Sequence, residues 1–287
     1  MKIAAHIPFF FVESRITYLK QVVDHLLRIP AEVDIYIYTN NHSVRAHFAQ
    51  PNVYIQYYAY SKRGKVAYFN GLWNRLGLTA LVHPYFLTWE NRKVIEKNLN
   101  IYDAQLYLED DICFTAENFN YWLAHKDVCY QNDFNLAFLR FEVSPQQARY
   151  LTDLTSVPQK VVQVNDQFFL WNDVNPYGGF WIYDRNELIR FSQSQEWKFN
   201  FDGFPIREKS AIGYHSLHMK RFRGNVIPLV KYDAANGVAE LPTHCLVHHL
   251  PNTYIGHSLF CKIKVEVSSE NGFTLRDTAQ LDPPKTK

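Results

Sequence analysis

Three consecutive carboxylates offer the most definite chemistry in this sequence. Glu109, Asp110 and Asp111 follow the apolar residues 106–108, a run typical of a strand that is buried on both faces. Adjacent carboxylates repel one another unless a cation or a set of hydrogen-bond donors lies among them. Hard divalent ions such as Mg²⁺ and Mn²⁺ take carboxylate oxygens and often bridge them to substrate phosphates. A solvated turn is the alternative, but turns more often carry Gly, Asn or Pro, so the sequence favours a metal site.

The elements in front of the acids predict how the chain positions them. Residues 2–7 form an apolar strand, apolar residues recur at helical spacing between 18 and 27, and residues 33–38 form a second strand. This order predicts an α/β, Rossmann-like fold with a mostly parallel central sheet and flanking helices. Ligands of such sheets bind outside the carboxyl ends of the strands, and Asn40 and the acids stand at two of those ends.

Later motifs supply candidates for substrate binding and proton transfer. Gly178 and Gly179 stand directly before an aromatic strand that contains Trp181, and adjacent glycines let a ligand approach the backbone closely. Glu208 lies in the first turn of the last predicted helix. Each motif has a structural alternative: a tight turn for the glycines, a core position for the tryptophan, and a favourable contact with the helix dipole for Glu208.

Basic and imidazole side chains are the remaining candidates. Arg92 belongs to a group of basic residues in front of the acidic strand, any of which could neutralise a diphosphate or could be an ordinary solvated charge. His248 and His249 end a late strand. Neighbours on a strand face opposite sides, so at most one of the two histidines should reach a metal ion.

Composition narrows the class of protein. The chain has 287 residues and a net charge of +2, which excludes a nucleic-acid-scale basic surface. Its 4 cysteines form no CxxC pair, which argues against a disulfide scaffold and a structural zinc site. No apolar run approaches the roughly 18 residues of a membrane span. We therefore expect a cytoplasmic enzyme and leave a peripheral contact with a membrane open.

The order of these features resembles the glycosyltransferases of GT-A fold, over roughly residues 1–255. Those enzymes use a nucleotide-diphosphate sugar and an Asp-x-Asp motif that holds Mn²⁺ or Mg²⁺ on the diphosphate. Residues 109–111 would be a Glu-x-Asp variant of that motif. The resemblance implies a metal-dependent hexosyltransferase, with a UDP-sugar as the expected donor and a hydroxyl of a glycan or other molecule as the acceptor. It also implies one catalytic domain over residues 1–276, with a nucleotide-sugar half at 1–115 and an acceptor half at 116–276, and we expect a disordered tail at 277–287.

Carried onto this chain, the resemblance implies a nucleotide site and a metal site. Pro8, Phe9 and Asn40 match positions that cradle the uracil and ribose, although the family often has an acid where Asn40 stands. Asp111 matches the final, metal-binding carboxylate, and Glu109 matches the one nearer the ribose and the metal. Asp110 faces the other side of the predicted strand and is the weakest of the three as a direct ligand.

The resemblance also implies roles in catalysis. Glu208 matches the general base of inverting members, with Asp202 as the alternative, and His248 or His249 matches a late histidine that completes the metal shell. The glycine pair and Trp181 match the segment that lines the sugar and acceptor site. The sequence does not decide between an inverting and a retaining mechanism.

Two other classes of protein fit the same residues. A non-catalytic carbohydrate- or nucleotide-binding module could keep the sheet and lose the chemistry, and the departure from a strict Asp-x-Asp favours it. A Mg²⁺-dependent nucleotidyltransferase or phosphatase also places acids at strand ends. No nucleophile or P-loop pattern supports another hydrolase or an ATPase.

Overall fold

The computed structural model describes residues 1–60, 83–198, 205–213 and 224–277. Two compact units make up the chain. Unit 1 comprises Met1–Asp111 and Gly179–Gly213, and unit 2 comprises Ile112–Gly178 and Tyr214–Lys287. The first segment of unit 1 thus ends with the acidic triplet. The expected catalytic domain of residues 1–276, with its halves at 1–115 and 116–276, stays a prediction.

The described residues form strands and short helices in the following order. The strands are β1 (Lys2–Phe9), β2 (Glu32–Thr39), β3 (Val53–Tyr57), β4 (Ala104–Leu108), β5 (Ile112–Cys113), β6 (Phe134–Leu136), β7 (Leu139–Val143), β8 (Arg149–Leu151), β9 (Val161–Val164), β10 (Gln167–Trp171), β11 (Phe180–Asp184), β12 (Gly224–Pro228), β13 (Lys231–Asp233), β14 (Val238–Pro242), β15 (Leu246–His249), β16 (Ile263–Val267) and β17 (Gly272–Asp277). The α-helices are α1 (Ile16–Leu26), α2 (Asn91–Lys97), α3 (Ala116–Gln131), α4 (Arg185–Ser192) and α5 (Ile206–Ala211), and 3-10 turns occupy Glu13–Arg15, His42–His47, Pro84–Trp89, Gln195–Trp197 and Thr243–Cys245.

Unit 1 contains a five-stranded sheet of order β11-β4-β1-β2-β3. β1 pairs in parallel with β2 and β4, and β2 pairs in parallel with β3. β11 closes the edge beside β4 and runs antiparallel. The α/β class and the mostly parallel central sheet are therefore confirmed.

A row of aromatic and imidazole side chains crosses this sheet in register. Trp181, Tyr107, His6, Tyr36 and Tyr54 stand opposite one another on the five strands in sheet order. Within the row, three pairs stack with ring centroids 5.1–5.7 Å apart. Side chains that lie directly opposite each other on paired strands stabilise a sheet. This row therefore stabilises the sheet across all five strands, from β11 at one edge to β3 at the other.

α1 follows the predicted pattern. Its buried positions share one helical face, and they are Ile16, Leu19, Val22, Val23 and Leu26. The spacing of three and four residues gives a stripe that packs on the core while the polar residues stay outside. The βαβ unit formed by β1, α1 and β2 sets the direction of the sheet, and it is the best-predicted part of the fold.

Unit 2 is built from two further sheets. An eight-stranded sheet has the order β13-β14-β17-β16-β8-β7-β15-β5, and a four-stranded sheet has the order β6-β12-β10-β9. Within the smaller sheet, β9 and β10 pair antiparallel as a hairpin. α3 begins at a capping box in which the Thr115 hydroxyl accepts from the Asn118 backbone and the Asn118 side chain accepts from the Thr115 backbone.

Three predicted boundaries differ from the structure. β1 does not end before Pro8 but continues to Phe9. The acids do not continue a strand, because β4 ends at Leu108 and β5 starts at Ile112 in another sheet. Asp277, the first residue of the predicted tail, ends β17, and residues 278–287 lie outside the described residues. None of the described helices combines the length and the apolarity needed to cross a membrane.

Candidate functional site

The acidic residues form a turn at the carboxyl end of β4, and Arg15 binds two of them. The Nε and Nη2 atoms of Arg15 donate to the two carboxylate oxygens of Asp110 at 2.8 and 2.7 Å. The same Nη2 donates to Oδ2 of Asp111 at 2.8 Å. Both carboxylates therefore converge on one guanidinium, and the prediction that Asp110 faces away is wrong. Its premise fails because strand alternation does not extend through a turn.

Electrostatic strain persists in this turn despite the arginine. Burial and the neighbouring charge of Asp111 raise the pKa of Asp110 to about 6, although Arg15 opposes the shift. Burial alone would lower the pKa of Arg15, but the charges of Asp110 and Asp111 outweigh it and raise that pKa. Glu109, Asp110, Asp111 and Arg15 together carry a formal charge of −2 when all are ionised. The pKa of Asp110 is thus raised although a guanidinium binds its carboxylate.

β11 fixes the backbone at the start of the turn. The backbone N–H of Glu109 donates to the carbonyl oxygen of Gly179 at 3.0 Å, just beyond the paired residues of β4 and β11. Gly179 has a φ of 74°, in the left-handed region that glycine adopts at low cost. Gly179 therefore has a local structural reason to be glycine. Gly178 is buried and belongs to unit 2, and the substrate contacts of both glycines stay predictions.

Asn40 holds together the segments that follow β1 and β3. Its side-chain oxygen accepts from the backbone N–H of Phe11 at 2.9 Å, and its side-chain nitrogen donates to the carbonyl of Tyr60 at 3.3 Å. Pro8 and Phe9 lie within β1 and are buried. These contacts give Asn40 a positioning role at the carboxyl edge of the sheet. The binding of a base or ribose by Pro8, Phe9 and Asn40 stays a prediction.

α5 packs on the face of the sheet that carries Tyr107 of β4 and Trp181 of β11. The Ser210 hydroxyl lies 2.8 Å from the hydroxyl of Tyr107, and the Ser210 carbonyl accepts from Nε1 of Trp181 at 3.0 Å. The ring of Trp181 is 1% exposed and stacks on both Tyr107 and Tyr183. This position makes Trp181 a core residue and disfavours its predicted contact with a sugar, which stays untested.

Glu208 lies in the first turn of α5. Its Oε1 atom is 3.7 Å from Nη2 of Arg207, and its Oε2 atom is buried without a hydrogen-bond donor among the described residues. The side chain as a whole is 34% exposed, so the carboxylate is neither in the core nor fully hydrated. The other predicted base, Asp202, lies outside the described residues.

Arg92 is buried among aromatic rings. Its guanidinium carbon lies 4.2 Å from the ring centre of Trp197 and 5.1–5.4 Å from the ring centres of Trp89, Phe191 and Trp181. Burial lowers the pKa of Arg92 to about 10. The residue is therefore not the solvated charge of the alternative interpretation. Its burial disfavours contact with a diphosphate, and that role stays a prediction.

The two late histidines belong to unit 2 and have different partners. Nδ1 of His249 lies 2.6 Å from Oε1 of the fully buried Glu142, whose Oε2 accepts from the backbone of Tyr254 and Ile255 at 2.8 and 2.9 Å. Nε2 of His248 lies 3.1 Å from Oδ1 of Asn252, and burial lowers the pKa of His248. Both imidazoles thus have partners within unit 2, and the role of either histidine as a metal ligand stays a prediction.

The structure brings Asp111, a predicted metal ligand, next to Asp110, which the sequence made the weakest of the three acids as a direct ligand. Asp110 and Asp111 share Arg15, as described above. Across the parts of the chain that the structure describes, no three His, Cys, Asp or Glu side chains are close enough to hold a metal ion. A pair of carboxylates nevertheless suits Mg²⁺, which is commonly bound by one or two carboxylates together with substrate phosphates and water. The oxygen donors fit the ion, and the complete shell of Asp111, Glu109 and a histidine stays a prediction.

Sequence reasoning missed Arg15 and Glu142. Three adjacent acids indicate that a cation lies nearby. The sequence does not show that Arg15 supplies it, because Arg15 stands 94 residues before Glu109. Glu142 is one of two charged residues in β7, Leu-Arg-Phe-Glu-Val, so nothing in the sequence indicated that its carboxylate is buried.

Comparisons with known proteins add little. No family model matches the sequence, and no curated protein matches it. A solved structure described as CMP:2-keto-3-deoxy-manno-octonic acid synthetase complexed with CTP matches with a TM-score of 0.35 and 13% identity. The match covers 73% of this chain and 83% of that one. At this similarity it assigns neither family nor activity.

Proposed function

We propose that this protein is a metal-dependent glycosyltransferase that moves a sugar from a nucleotide-diphosphate donor to a hydroxyl acceptor. The observation that carries the proposal is the convergence of the Asp110 and Asp111 carboxylates on one cation at the carboxyl end of β4. Ligands of mostly parallel sheets bind at that edge. The carboxylates lie where a divalent ion and a diphosphate would meet the sheet.

The charge of the acidic turn supports a divalent ion. The carboxylates of Asp110 and Asp111, brought together in one turn, would repel a diphosphate unless a metal ion bridged the two. Asp110 and Asp111 would hold Mn²⁺ or Mg²⁺, with Glu109 beside them. Such an ion, when bound, supplies positive charge that stabilises the departing nucleoside diphosphate.

Glu208 is the proposed general base. Its buried Oε2 atom has no donor among the described residues, so its lone pairs are available to accept the proton of an attacking hydroxyl. The packing of Ser210 on Tyr107 places α5 over the strand that ends in the acids. A base in this role makes the transfer inverting.

A thermal-shift panel tests the donor class. Each nucleotide sugar is added with Mn²⁺ and with a chelator, since a ligand that binds the folded state raises the apparent stability. We expect a UDP-sugar to raise the melting temperature with Mn²⁺ and far less with chelator. Sugar binding that is indifferent to metal would instead favour a binding module, and pyrophosphate release without a sugar acceptor would favour a nucleotidyltransferase.

Transfer itself is tested with Asp111→Asn. This variant keeps the size of the side chain and removes its charge, so we expect the loss of detectable sugar transfer while the fold is retained. Asp103→Asn, at an exposed acid in the same unit, is the matched control and should transfer at the wild-type rate. Unchanged turnover in Asp111→Asn would rule out the proposed metal site.

A further inference from the structure

Arg15 and a divalent ion would compete for the same two carboxylates. The guanidinium contacts both oxygens of Asp110 and one oxygen of Asp111, at 2.7–2.8 Å. It is always protonated and carries no acceptor. A second cation beside the same oxygens would therefore meet a fixed positive charge, and the repulsion between them is strong at a site shielded from water.

Arg15 also has a way out of this contact. Its side chain is 36% exposed, whereas those of Asp110 and Asp111 are 13% and 7% exposed. The arginine can therefore turn towards solvent, or towards an anion arriving from solvent, while the carboxylates stay in place. Arg15 ends the 3-10 turn at Glu13–Arg15 and precedes α1, so its side chain can reorient without disturbing a strand.

A nucleoside diphosphate offers Arg15 a replacement partner. A diphosphate that shares a metal ion with Asp111 would lie beside Arg15, because Arg15 already contacts that carboxylate. Guanidinium groups bind phosphate oxygens in the same forked manner as carboxylates. The exchange conserves the charge-assisted hydrogen bonds of the arginine and gives the carboxylates to the metal.

We propose that Arg15 is a tethered competitor of the metal ion, which it excludes from Asp110 and Asp111 until a nucleoside diphosphate draws it away. The proposal rests on the proposed function and adds a binding order to it. Metal and diphosphate then bind cooperatively, each raising the affinity of the other by the same factor. Arg15 is a positioning residue in this scheme, and it couples the two ligands.

The binding of Mn²⁺, followed by its electron paramagnetic resonance signal, tests the proposal in the full-length protein. The affinity for Mn²⁺ is measured with and without UDP in the wild type, in Arg15→Gln and in the control Arg28→Gln, an exposed arginine in the same unit. Without UDP, we expect Arg15→Gln to bind Mn²⁺ about tenfold more tightly than the wild type, the effect of one charge-assisted contact. UDP should tighten Mn²⁺ binding strongly in the wild type and Arg28→Gln, and much less in Arg15→Gln.

Arg15→Lys provides a second measurement that does not depend on the stability of Arg15→Gln. Lysine keeps the charge but loses the fork, so Mn²⁺ should bind this variant more tightly than the wild type, by a smaller factor than in Arg15→Gln. Mn²⁺ affinities at or below the wild-type value in the folded Arg15 variants would overturn the competition and leave the metal site intact. The absence of Mn²⁺ binding to every protein, with and without UDP, would overturn the proposed function and the competition together.

Discussion

Single residues set the electrostatics of the acidic turn. Arg15 reaches Asp110 and Asp111 with three hydrogen bonds of 2.7–2.8 Å, and yet the pKa of Asp110 stays raised to about 6 because of burial and the charge of Asp111. Two adjacent carboxylates that share one guanidinium are oxygen donors that a metal ion could take if Arg15 moved away. The same contacts explain why Asp110 and Asp111 can be buried next to each other.

Gly179 gives a prediction at this scale. Its φ of 74° lies in the left-handed region, where an L side chain costs about 1–2 kcal/mol. We expect Gly179→Ala to lower the free energy of unfolding by about that amount, as measured by urea denaturation. Gly237, which has a φ of 66° and open space where a Cβ atom would lie, is the control, because Gly237→Ala carries the backbone cost alone. A Gly179→Ala variant as stable as the wild type would contradict the structural requirement for glycine at this φ.

The buried carboxylate of Glu142 should contribute strongly to the stability of the fold. Three groups donate to its buried carboxylate: Nδ1 of His249 and the backbone N–H groups of Tyr254 and Ile255. Glu142→Ala leaves these groups without their acceptor, and each buried unsatisfied group costs about 1–3 kcal/mol. We expect a loss of at least about 2 kcal/mol in the free energy of unfolding. A loss below about 0.5 kcal/mol, the range of ordinary surface substitutions, would show that the network contributes little.

At the scale of elements, His6 of β1 makes the stability of the fold depend on pH. Burial lowers the pKa of His6 to about 3, and its ring lies 2.7 Å from the Tyr38 hydroxyl and 2.8 Å from the Gln105 side chain. In the unfolded chain the ordinary pKa is 6.5. Between pH 6.5 and pH 3 the unfolded state therefore binds more protons than the folded state, so stability falls as the pH falls through this window.

His6→Gln tests this linkage. Glutamine can keep polar contacts but does not titrate, so one proton is removed from the difference between the two states. We expect the free energy of unfolding of the wild type to drop between pH 7 and pH 5 by about 2 kcal/mol more than that of His6→Gln. Urea denaturation at the two pH values measures both drops. Equal drops would mean that His6 is protonated in the folded protein.

Elements that depend on a local sequence pattern could be predicted, whereas contacts between residues far apart in sequence could not. β1, α1 and β2 carry their own periodicity, so the sequence alone indicated the parallel sheet and the edge at which we expect ligands to bind. The sequence placed the acids correctly after β4, but it was wrong to treat Asp110 as a strand residue, because residues 109–111 form a turn and β5 joins a different sheet. Arg15 and Glu142 escaped notice because their partners are 95 and 107 residues away in sequence, and no local pattern records such contacts.

At the scale of the whole molecule, unit 1 is completed by a segment distant in sequence. β11, α4 and α5 come from Gly179–Gly213, and they supply the edge strand beside β4 and the helix over Tyr107. We expect a fragment of residues 1–111 to lack cooperative unfolding, because it leaves one edge of β4 and the apolar face around Tyr107 uncovered. Circular dichroism against temperature measures this for the fragment and the full chain. A sharp transition in the fragment would show that the second segment is dispensable for folding.

Calorimetric titration of UDP tests the central claim most directly, because it joins the acidic turn, the metal and the nucleotide in one quantity. The affinity for UDP is measured in Mn²⁺ and in chelator, for the wild type and for Asp111→Asn. We predict that Mn²⁺ strengthens UDP binding by at least about tenfold in the wild type, equivalent to about 1.4 kcal/mol. For Asp111→Asn, the affinity for UDP should be the same in Mn²⁺ and in chelator. Equal affinities in Mn²⁺ and chelator for the wild type would contradict a metal-diphosphate site at this turn.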